Sequence, residues 1–494
     1  MKELSIEQVI RAVNGSLIYG DSSIDLSSTL ISSVSTNSKA QEKGALFVPI
    51  VGERVDAHDF IEDAYNNGAI ACFTSRENIY HKGIICIKVE DTLKALQDLA
   101  GYYRSQFSIP LIGITGSVGK TTTKEMVSSA LSTRYKVLKT EGNMNSQVGL
   151  PLMMFRIEED HEIAVIEMGI SEEGEMDRLV KVAKPDVAIV TNIGISHIAL
   201  LKTQENIRKE KLIIINEFRE GGGLFVNGND PLLWDLVEYA NDNKDKECSH
   251  KFDKIDLTET TKSKLIKNRV ISFGTKEGNS YSAKDIRVSE GKTFFTLVNQ
   301  ENSSEEDIVL NVLGDHNINN ALCAISIAEY YNIPASVAKK GLEDYRPISM
   351  RGEIKEVAGI TIIDDTYNAS PDSMKSGINV LLSTDNTNRK IAVLADVLEL
   401  GPMSKKAHTE VGEYIAGKNI DELVTIGKEA KYIAVGLSSR NKNITCHSFD
   451  TNDQATAYLD KIIKTGDAML VKGSRGMKTE EIVNFFINKY KENK

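Results

Sequence analysis

Leu111-Ile-Gly-Ile-Thr-Gly-Ser-Val-Gly-Lys-Thr-Thr-Thr123 is the stretch from which the rest of the chain can be organised. Leu111 to Ile114 is an apolar run that predicts a buried strand, and Met126, Val127, Ala130 and Leu131 recur at helical spacing downstream. The glycines therefore occupy a strand-to-helix turn. Gly116 and Gly119 let backbone N–H groups approach an anion closely, the helix N-terminus adds partial positive charge, and Lys120 adds a full one. Thr121 places a hydroxyl where a magnesium ion bound to phosphate would sit. Gly116, Ser117, Val118, Gly119, Lys120, Thr121 and Thr122 are thus the candidate nucleotide loop. The strict phosphate-loop pattern wants four residues between its first glycine and the Gly-Lys pair; Gly113 comes one residue too early and position 114 is Ile. A glycine turn with a chance Gly-Lys-Thr is the plain alternative, but a strand, glycines, a lysine and three threonines in this order favour phosphate binding.

A chain of 494 residues exceeds one ordinary core, and about 150 residues per domain suggests three. The net charge of −11 argues against a nucleic-acid or anionic-membrane surface, so an anionic substrate must be held by local cations. Cys72, Cys86, Cys248, Cys323 and Cys446 are odd in number, scattered and never in a Cys-x-x-Cys pair. They support neither a disulfide framework nor a zinc site, which fits a reducing cytosol. The N-terminus lacks a long apolar segment, and no run approaches the roughly 18 residues needed to span a bilayer. Neither export nor membrane insertion is expected, and the protein is expected to be cytoplasmic and monomeric.

The organisation predicted is α/β throughout. Residues 1–105 read as a small α/β unit: a helix at Ser5–Val13, then short apolar runs at Gly44–Ile50, Ala69–Phe73 and Gly83–Val89. Residues 106–347 form a central unit in which the strands Ile163–Met168, Val187–Thr191 and Leu224–Asn227 alternate with helical patterns, implying a mostly parallel sheet with ligands at its carboxyl edge. Asn241–Asn268 shows no sustained periodicity and is expected to be a surface excursion, followed by strands at Val270–Phe273, Lys292–Val298 and Ile308–Val312 and a helix beginning near Asn319. Residues 348–494 restart the alternation with strands at Ile360–Ile363, Ile391–Leu394, Leu423–Ile426, Ile444–Cys446 and Ala468–Val471, a second, Rossmann-like doubly wound sheet.

Several residues could carry chemistry. Glu167 ends a strand at the edge where the phosphate loop opens; as a metal-ligating carboxylate or a helix cap it would be undecided alone, and the loop upstream favours the ligand. His197 lies in a loop after the next strand, where a histidine is more often a bystander; its place on the same sheet edge keeps it as a candidate. On a helix predicted over Gln204–Phe218, Lys211 falls on the stripe of Ile207, Ile214, Ile215 and Phe218, whereas Lys209 points the other way. An inward lysine can snorkel, but a buried charge is costly unless paired or altered, and carbamylation would convert it to an anionic oxygen ligand suited to magnesium. Asp364 and Asp365 end a strand of the last unit, where ribose binding and a capping role are equal alternatives. Lys472-Gly-Ser-Arg-Gly476 is a further turn with two cations.

Taken together, these segments resemble the Mur ligases, the ATP-dependent enzymes that build the peptide of bacterial cell-wall precursors. Thr115-Gly-Ser-Val-Gly-Lys-Thr-Thr122, Glu167-Met-Gly169, Thr191-Asn-Ile193 with Ser196-His197, and Arg208-Lys-Glu-Lys211 carry the likeness in the central unit. Gly44-Ala-Leu-Phe-Val-Pro49 with Asp56-Ala-His-Asp-Phe60 resembles the family's UDP-binding domain. The resemblance implies ATP and two magnesium ions as cofactors, with Lys120, Glu167, His197 and Lys211 catalytic and Thr121, Glu167, His197 and a carbamylated Lys211 as metal ligands. It implies nucleotide contacts from Asn317, Asn320, Arg351 and Asp365, and substrate contacts from Ser38, Asn143, Asn145, Tyr367 and Asn368. Two segments depart from the family's usual form: Asn37-Ser-Lys39 stands for Asp-Ser-Arg, and Asn143-Met-Asn-Ser-Gln147 for Asn-x-Asn-Asn-Glu.

Within the family, Asp364-Asp-Thr-Tyr-Asn-Ala-Ser-Pro-Asp-Ser-Met374, Asp396-Val-Leu-Glu-Leu-Gly401 with His408, and Lys472-Gly-Ser-Arg-Gly-Met-Lys478 are most similar to the dipeptide-adding member. That likeness implies UDP-N-acetylmuramoyl-tripeptide and D-alanyl-D-alanine as substrates, joined through an acyl phosphate in peptidoglycan synthesis. An amino-acid-adding Mur enzyme or a folylpolyglutamate synthase would share the central unit and differ in acceptor. A phosphate-loop kinase or nucleotide switch would need no carboxylate acceptor.

Overall fold

The first 105 residues build two small sheets. In the computed structural model, which describes residues 1–19, 25–77, 83–218, 221–244, 256–385, 387–441 and 443–491, β1 (Leu4–Ser5) pairs with β3 (Leu30–Ile31). β2 (Ser16–Tyr19), β4 (Ser33–Ser35), β5 (Ala45–Phe47), β6 (Ala69–Thr74) and β7 (Ile85–Lys88) form a second sheet in the order β2-β7-β6-β5-β4, with only β2 antiparallel. The first helix runs Ile6–Ala12, set by a capping box in which Ser5 and Gln8 satisfy each other's backbone amides.

The central sheet comprises β8 (Leu111–Thr115), β9 (Val137–Lys139), β10 (Ile163–Glu167), β11 (Val187–Val190), β12 (Gly223–Asn227), β13 (Arg269–Phe273), β14 (Tyr281–Ser289), β15 (Lys292–Asn299) and β16 (Ser304–Leu310). Its order is β16-β15-β14-β13-β12-β11-β8-β10-β9, parallel from β9 to β14 and antiparallel beyond. β8 lies between β10 and β11, where the winding reverses, so its carboxyl end opens the crevice in which such sheets bind ligands. Every residue of β8 is buried, as expected of a strand covered on both faces. One of those faces is covered by helices Lys120–Leu131 and Asp315–Tyr330, whose apolar side chains close a core with Ile112, Ile114 and Ile189.

The last sheet contains β17 (Glu353–Val357), β18 (Ile360–Asp364), β19 (Lys390–Ala395), β20 (Glu422–Ile426), β21 (Thr445–Phe449) and β22 (Ala468–Lys472) in the order β17-β18-β22-β19-β20-β21, parallel except for β17.

Arg104, on the helix Thr92–Ser105 that leads into the central sheet, is a buried cation with a structural task. Its guanidinium donates to the carbonyls of Ala183 (3.2 Å), Phe107 (2.7 Å) and Ile109 (2.9 Å) and lies 3.8 Å from Asp186, whose carboxylate accepts from the Leu111 amide. It thereby fixes where β8 begins. Replacing it leaves carbonyls unsatisfied and Asp186 without this cation. Arg104→Met is expected to cost about 3 kcal/mol of unfolding free energy. A urea midpoint equal to the wild type's would contradict this.

The structure corrects several local expectations. The helix predicted over Gln204–Phe218 ends at Leu212 and tightens into a 3-10 turn at Ile213–Ile215, where three consecutive β-branched side chains crowd the preceding turn. Asn241–Asn268 is not all surface excursion: helix Pro231–Lys244 runs into it, and helix Glu259–Lys267, capped by Thr258, fills its end. Thr261 and Leu265 are the buried residues of that second helix, with Leu257 buried just before its cap, and the threonine hid the period. Residues 245–255 lie outside the described residues. β14 and β17 were not expected, and the helix expected near Asn319 starts at Asp315. β17 reads Glu-Ile-Lys-Glu-Val, an edge strand with charges alternating along it, and β14 buries only its first two residues, so neither presents an apolar run.

Candidate active site

At the carboxyl end of β8 the chain turns through Gly116 (φ 145°) and Gly119 (φ 85°) into helix Lys120–Leu131. A Cβ on Gly116 would lie 1.9 Å from Thr191 Oγ1, so the loop can sit against β11 only without a side chain there. Asn192 clasps the loop: its Oδ1 accepts from the amides of Ser117 (3.0 Å) and Val118 (2.8 Å). Gly119, the N-cap, provides no side-chain bond, which leaves the amides at the helix N-terminus for an anion.

Lys120 folds back onto its own loop, donating to the Gly116 carbonyl at 2.8 Å. Lys211 reaches the same oxygen from the helix Gln204–Leu212 at 3.2 Å. Lys211 is fully enclosed, and burial, with the charge of Lys120 added, holds its pKa well below the usual lysine range. Burial lowers that of Lys120 as well. Two ammonium groups sharing one carbonyl oxygen in a buried place is an unfavourable arrangement, which favours the neutral amine at Lys211. Its neighbour Lys209 points outward, as predicted, and pairs there with Asp256 at 3.6 Å. Arg208, also buried, bonds the Leu232 carbonyl and Asp235, both at 3.3 Å.

Glu167, at the end of β10, is 2 % exposed. Its two oxygens accept from Thr121 Oγ1 (3.1 Å) and Asn145 Nδ2 (2.8 Å), while its own amide is held by Thr140 Oγ1 at 2.8 Å. A buried carboxylate beside a hydroxyl is a hard-oxygen pair of the kind magnesium takes. His197 stands in the left-handed region (φ 61°) at the mouth of the loop after β11, its Nδ1 2.8 Å from Glu399 Oε2. That bond holds the Glu399 carboxyl below the usual range.

The last sheet faces this edge. Arg351 lies 3.9 Å over the ring of Tyr367, and its Nη2 comes within 3.5 Å of Thr121 Oγ1. Lys472, at the end of β22, is buried and bonds Asp365 Oδ2 (2.5 Å) and the Asn368 carbonyl (3.0 Å). Between the two sheets lies a cavity of about 450 Å³, lined by Ser117 to Thr122, Asn143, Asn145, Glu167, His197, Asn320, Arg351, Asp365, Tyr367 and Asn368. Thus most residues singled out from the sequence meet in one place. Gly116 and Lys211 lie just behind the cavity wall. Asn317 stands behind Asn320, accepting from its Nδ2 at 3.3 Å, and Asn320 in turn accepts from Thr123 at 2.9 Å. Ser38 is apart, in the first sheet's unit, where its carbonyl accepts from Asn67 at 3.1 Å.

The sequence reading gave no role to Asn192, Asp372 or Glu399. Asp372, on helix Pro371–Leu382, also lines the cavity, and burial raises its pKa. Asn192 and Glu399 lay inside quoted motifs, Thr191-Asn-Ile193 and Asp396–Gly401, yet a clasp between two loops leaves no local spacing to read.

Comparison with known proteins gives three family matches in chain order: "Mur ligase family, catalytic domain" at residues 30–104, "Mur ligase middle domain" at 114–256 and 253–328, and "Mur ligase, glutamate ligase domain" at 350–475. The UDP-N-acetylmuramoyl-tripeptide–D-alanyl-D-alanine ligase of Bacillus subtilis is 39% identical over 467 residues, covering 93% of this chain and 94% of its own. A crystal structure of MurF from Acinetobacter baumannii superposes with a TM-score of 0.86 at 28% identity, over 99% of both chains. MurF from Thermotoga maritima in complex with ADP gives 0.79 at 29%, over 94% of this chain and 98% of its own. With a phosphate loop at the winding reversal of its central sheet and relatives aligned end to end, this chain belongs to the Mur ligase family.

Proposed function

We propose that the chain is an ATP-dependent, ADP-forming ligase that joins D-alanyl-D-alanine to UDP-N-acetylmuramoyl-tripeptide in peptidoglycan precursor synthesis. The observation that carries this reading is the single cavity in which the phosphate loop of the central sheet faces Arg351, Asp365 and Lys472 of the last. The names of the relatives support the choice of substrates. A kinase or nucleotide switch loses its ground once the family is shown. The three family matches and the three sheets of five, nine and six strands support division into a UDP-binding domain at 1–105, an ATP-binding domain at 106–347 and a Rossmann-like ligase domain at 348–494.

In this reading the tripeptide carboxylate attacks the γ-phosphate of ATP, giving an acyl phosphate and ADP. The amine of the dipeptide then attacks the acyl carbon, releasing phosphate. Lys120 and the helix N-terminus stabilise charge on the transferring phosphoryl by position and electrostatics. Arg351 and Asp365 hold nucleotide from the other wall, with Asn320 and, behind it, Asn317 on the central side. Asn143, Asn145, Tyr367 and Asn368 bear on the substrates, and Ser38 on the uridine end. Because each wall carries part of the site, approach of the two units orients reactants and excludes water.

The Thr121–Glu167 oxygen pair fits magnesium, and two ions held by Thr121, Glu167, His197 and carbamylated Lys211 would neutralise phosphate charge. Carbamylation joins the neutral amine to carbon dioxide with loss of a proton, and a lysine whose pKa is depressed by burial offers that neutral amine. We place the enzyme in the cytosol as a monomer; none of the four described cysteines is in a disulfide, as a reducing compartment requires. Cys248 lies outside the described residues.

The test is isotopic. Oxygen-18 placed in the tripeptide carboxylate is expected in the released phosphate, since that oxygen bridges carbon and phosphorus before the amine displaces it. Retention of all label in the peptide rules the acyl phosphate out.

A further inference from the structure

Glu399 belongs to the loop that follows β19, in the last sheet's unit, yet its carboxylate sits 2.8 Å from His197 Nδ1 on the central unit. Both residues adopt left-handed backbone, with φ of 68° and 61°, a conformation that costs energy in non-glycine residues and persists only where surroundings enforce it.

The surroundings do enforce it on each side. The loop bearing His197 is tied down by Gly194, whose amide donates to Ser117 Oγ at 2.9 Å, and by Ile193, whose amide donates to Asp230 at 2.6 Å. The loop bearing Glu399 is tied down by the Val397 amide on His408 Nε2 (3.0 Å) and the Leu398 amide on Ser474 Oγ (2.9 Å). The turn Gly401–Met403 that follows packs on helix Ile198–Leu201, which His197 caps, with Ala199 so close that a Cβ on Gly401 would come within 3.0 Å of it. Two rigid loops thus present one carboxylate to one imidazole across the boundary between units.

A carboxylate on Nδ1 keeps the proton on that nitrogen and leaves Nε2 with its lone pair, the tautomer a metal-ligating histidine needs. The pair is poorly suited to be mere glue, because the Glu399 side chain is 65% exposed and exposed ion pairs contribute little to stability.

We propose that Glu399 is a positioning residue for the cation site: it orients His197 and fixes its tautomer, and does so only when the last unit is seated on the central one. Seating of that unit and cation affinity are therefore coupled. This rests on the reading of His197 as a metal ligand. His197 lines the cavity that also holds Thr121 and Glu167, and among the proposed ligands its side chain is the one that meets a carboxylate of the last unit, Thr121 meeting the Arg351 guanidinium instead.

The experiment measures Mn²⁺ binding to the full chain by electron paramagnetic resonance, in the presence of a non-hydrolysable ATP analogue, for wild type, Glu399→Ala, Glu399→Gln, His197→Ala and the double variant Glu399→Ala/His197→Ala. Glu399→Ala is expected to bind Mn²⁺ about 10–100-fold more weakly, the usual cost of losing a partner of a ligating histidine. Glu399→Gln, which keeps an acceptor for the Nδ1 proton, should recover most of that loss. The double variant should bind no more weakly than His197→Ala alone, since Glu399 acts through His197. Thermal midpoints should stay within a degree or two of wild type, as expected for an exposed pair. Wild-type Mn²⁺ affinity in Glu399→Ala, with weakened affinity in His197→Ala, overturns the proposal and leaves the metal site standing. Wild-type affinity in His197→Ala removes the metal-ligand reading and the proposal with it.

Discussion

Lys120→Ala is expected to lower ligation at least about 10³-fold while the protein remains folded. The side chain contributes no apolar packing to the β8 core; its one bond is to the Gly116 carbonyl of its own loop, at 2.8 Å. The loop's shape comes instead from Gly116, Gly119 and the Asn192 clasp, all untouched by the substitution. Nucleotide should still bind, because backbone amides at the helix N-terminus remain, but the charge proposed to stabilise the phosphoryl in flight is gone. Phosphate release measured with both substrates, beside circular dichroism and ADP binding, separates the two effects. Near-normal turnover in a folded, ADP-binding Lys120→Ala protein would sink the ATP-site assignment.

What the chain reveals without its structure follows the range of the interactions involved. The phosphate loop was legible because its chemistry is local: strand, glycines, lysine and helix start lie within 13 consecutive residues. Buried parallel strands were legible for the same reason, each being a short apolar run. Two strands without an apolar run were not: the edge strand β17 and the interior strand β14, most of which is exposed, spend their alternation on charged and polar side chains. Glu259–Lys267 was missed because a buried threonine, Thr261, satisfied by Asn216 at 2.9 Å, stands where a periodicity count looks for an aliphatic residue. At the site, strand-end positions pointed to Glu167 and Asp365, but whether each acts as cap or ligand depends on what faces it, and that is set by the packing of two sheets. Pairings such as Asn192 with the loop amides, or Glu399 with His197, join residues far apart in the chain, so no spacing rule finds them.

Lys211 shows both the reach and the limit of the sequence. Its place on an inward stripe was readable from Ile207 and Ile214, and the structure indeed buries it to 2 % exposure. Its partner was not readable: the same carbonyl that holds Lys120. An ammonium there would face another ammonium with no carboxylate bonded to it, whereas a carbamate would bring a negative oxygen toward the cation and relieve the conflict. Lys211→Ala is therefore expected to cost about 10²-fold or more in turnover, because on the proposed reading a metal ligand is lost. Lys209→Ala, which removes only an exposed pair with Asp256, should stay within about twofold of wild type. Short carboxylic acids added at millimolar concentration should partly restore Lys211→Ala, since the vacated volume can admit an oxygen anion in place of the carbamate. They should do nothing for Lys120→Ala, where a positive charge is missing. The carbamate is refuted if high-resolution density from crystals kept under bicarbonate, with magnesium and nucleotide bound, shows a bare amine at Lys211 still bonded to the Gly116 carbonyl.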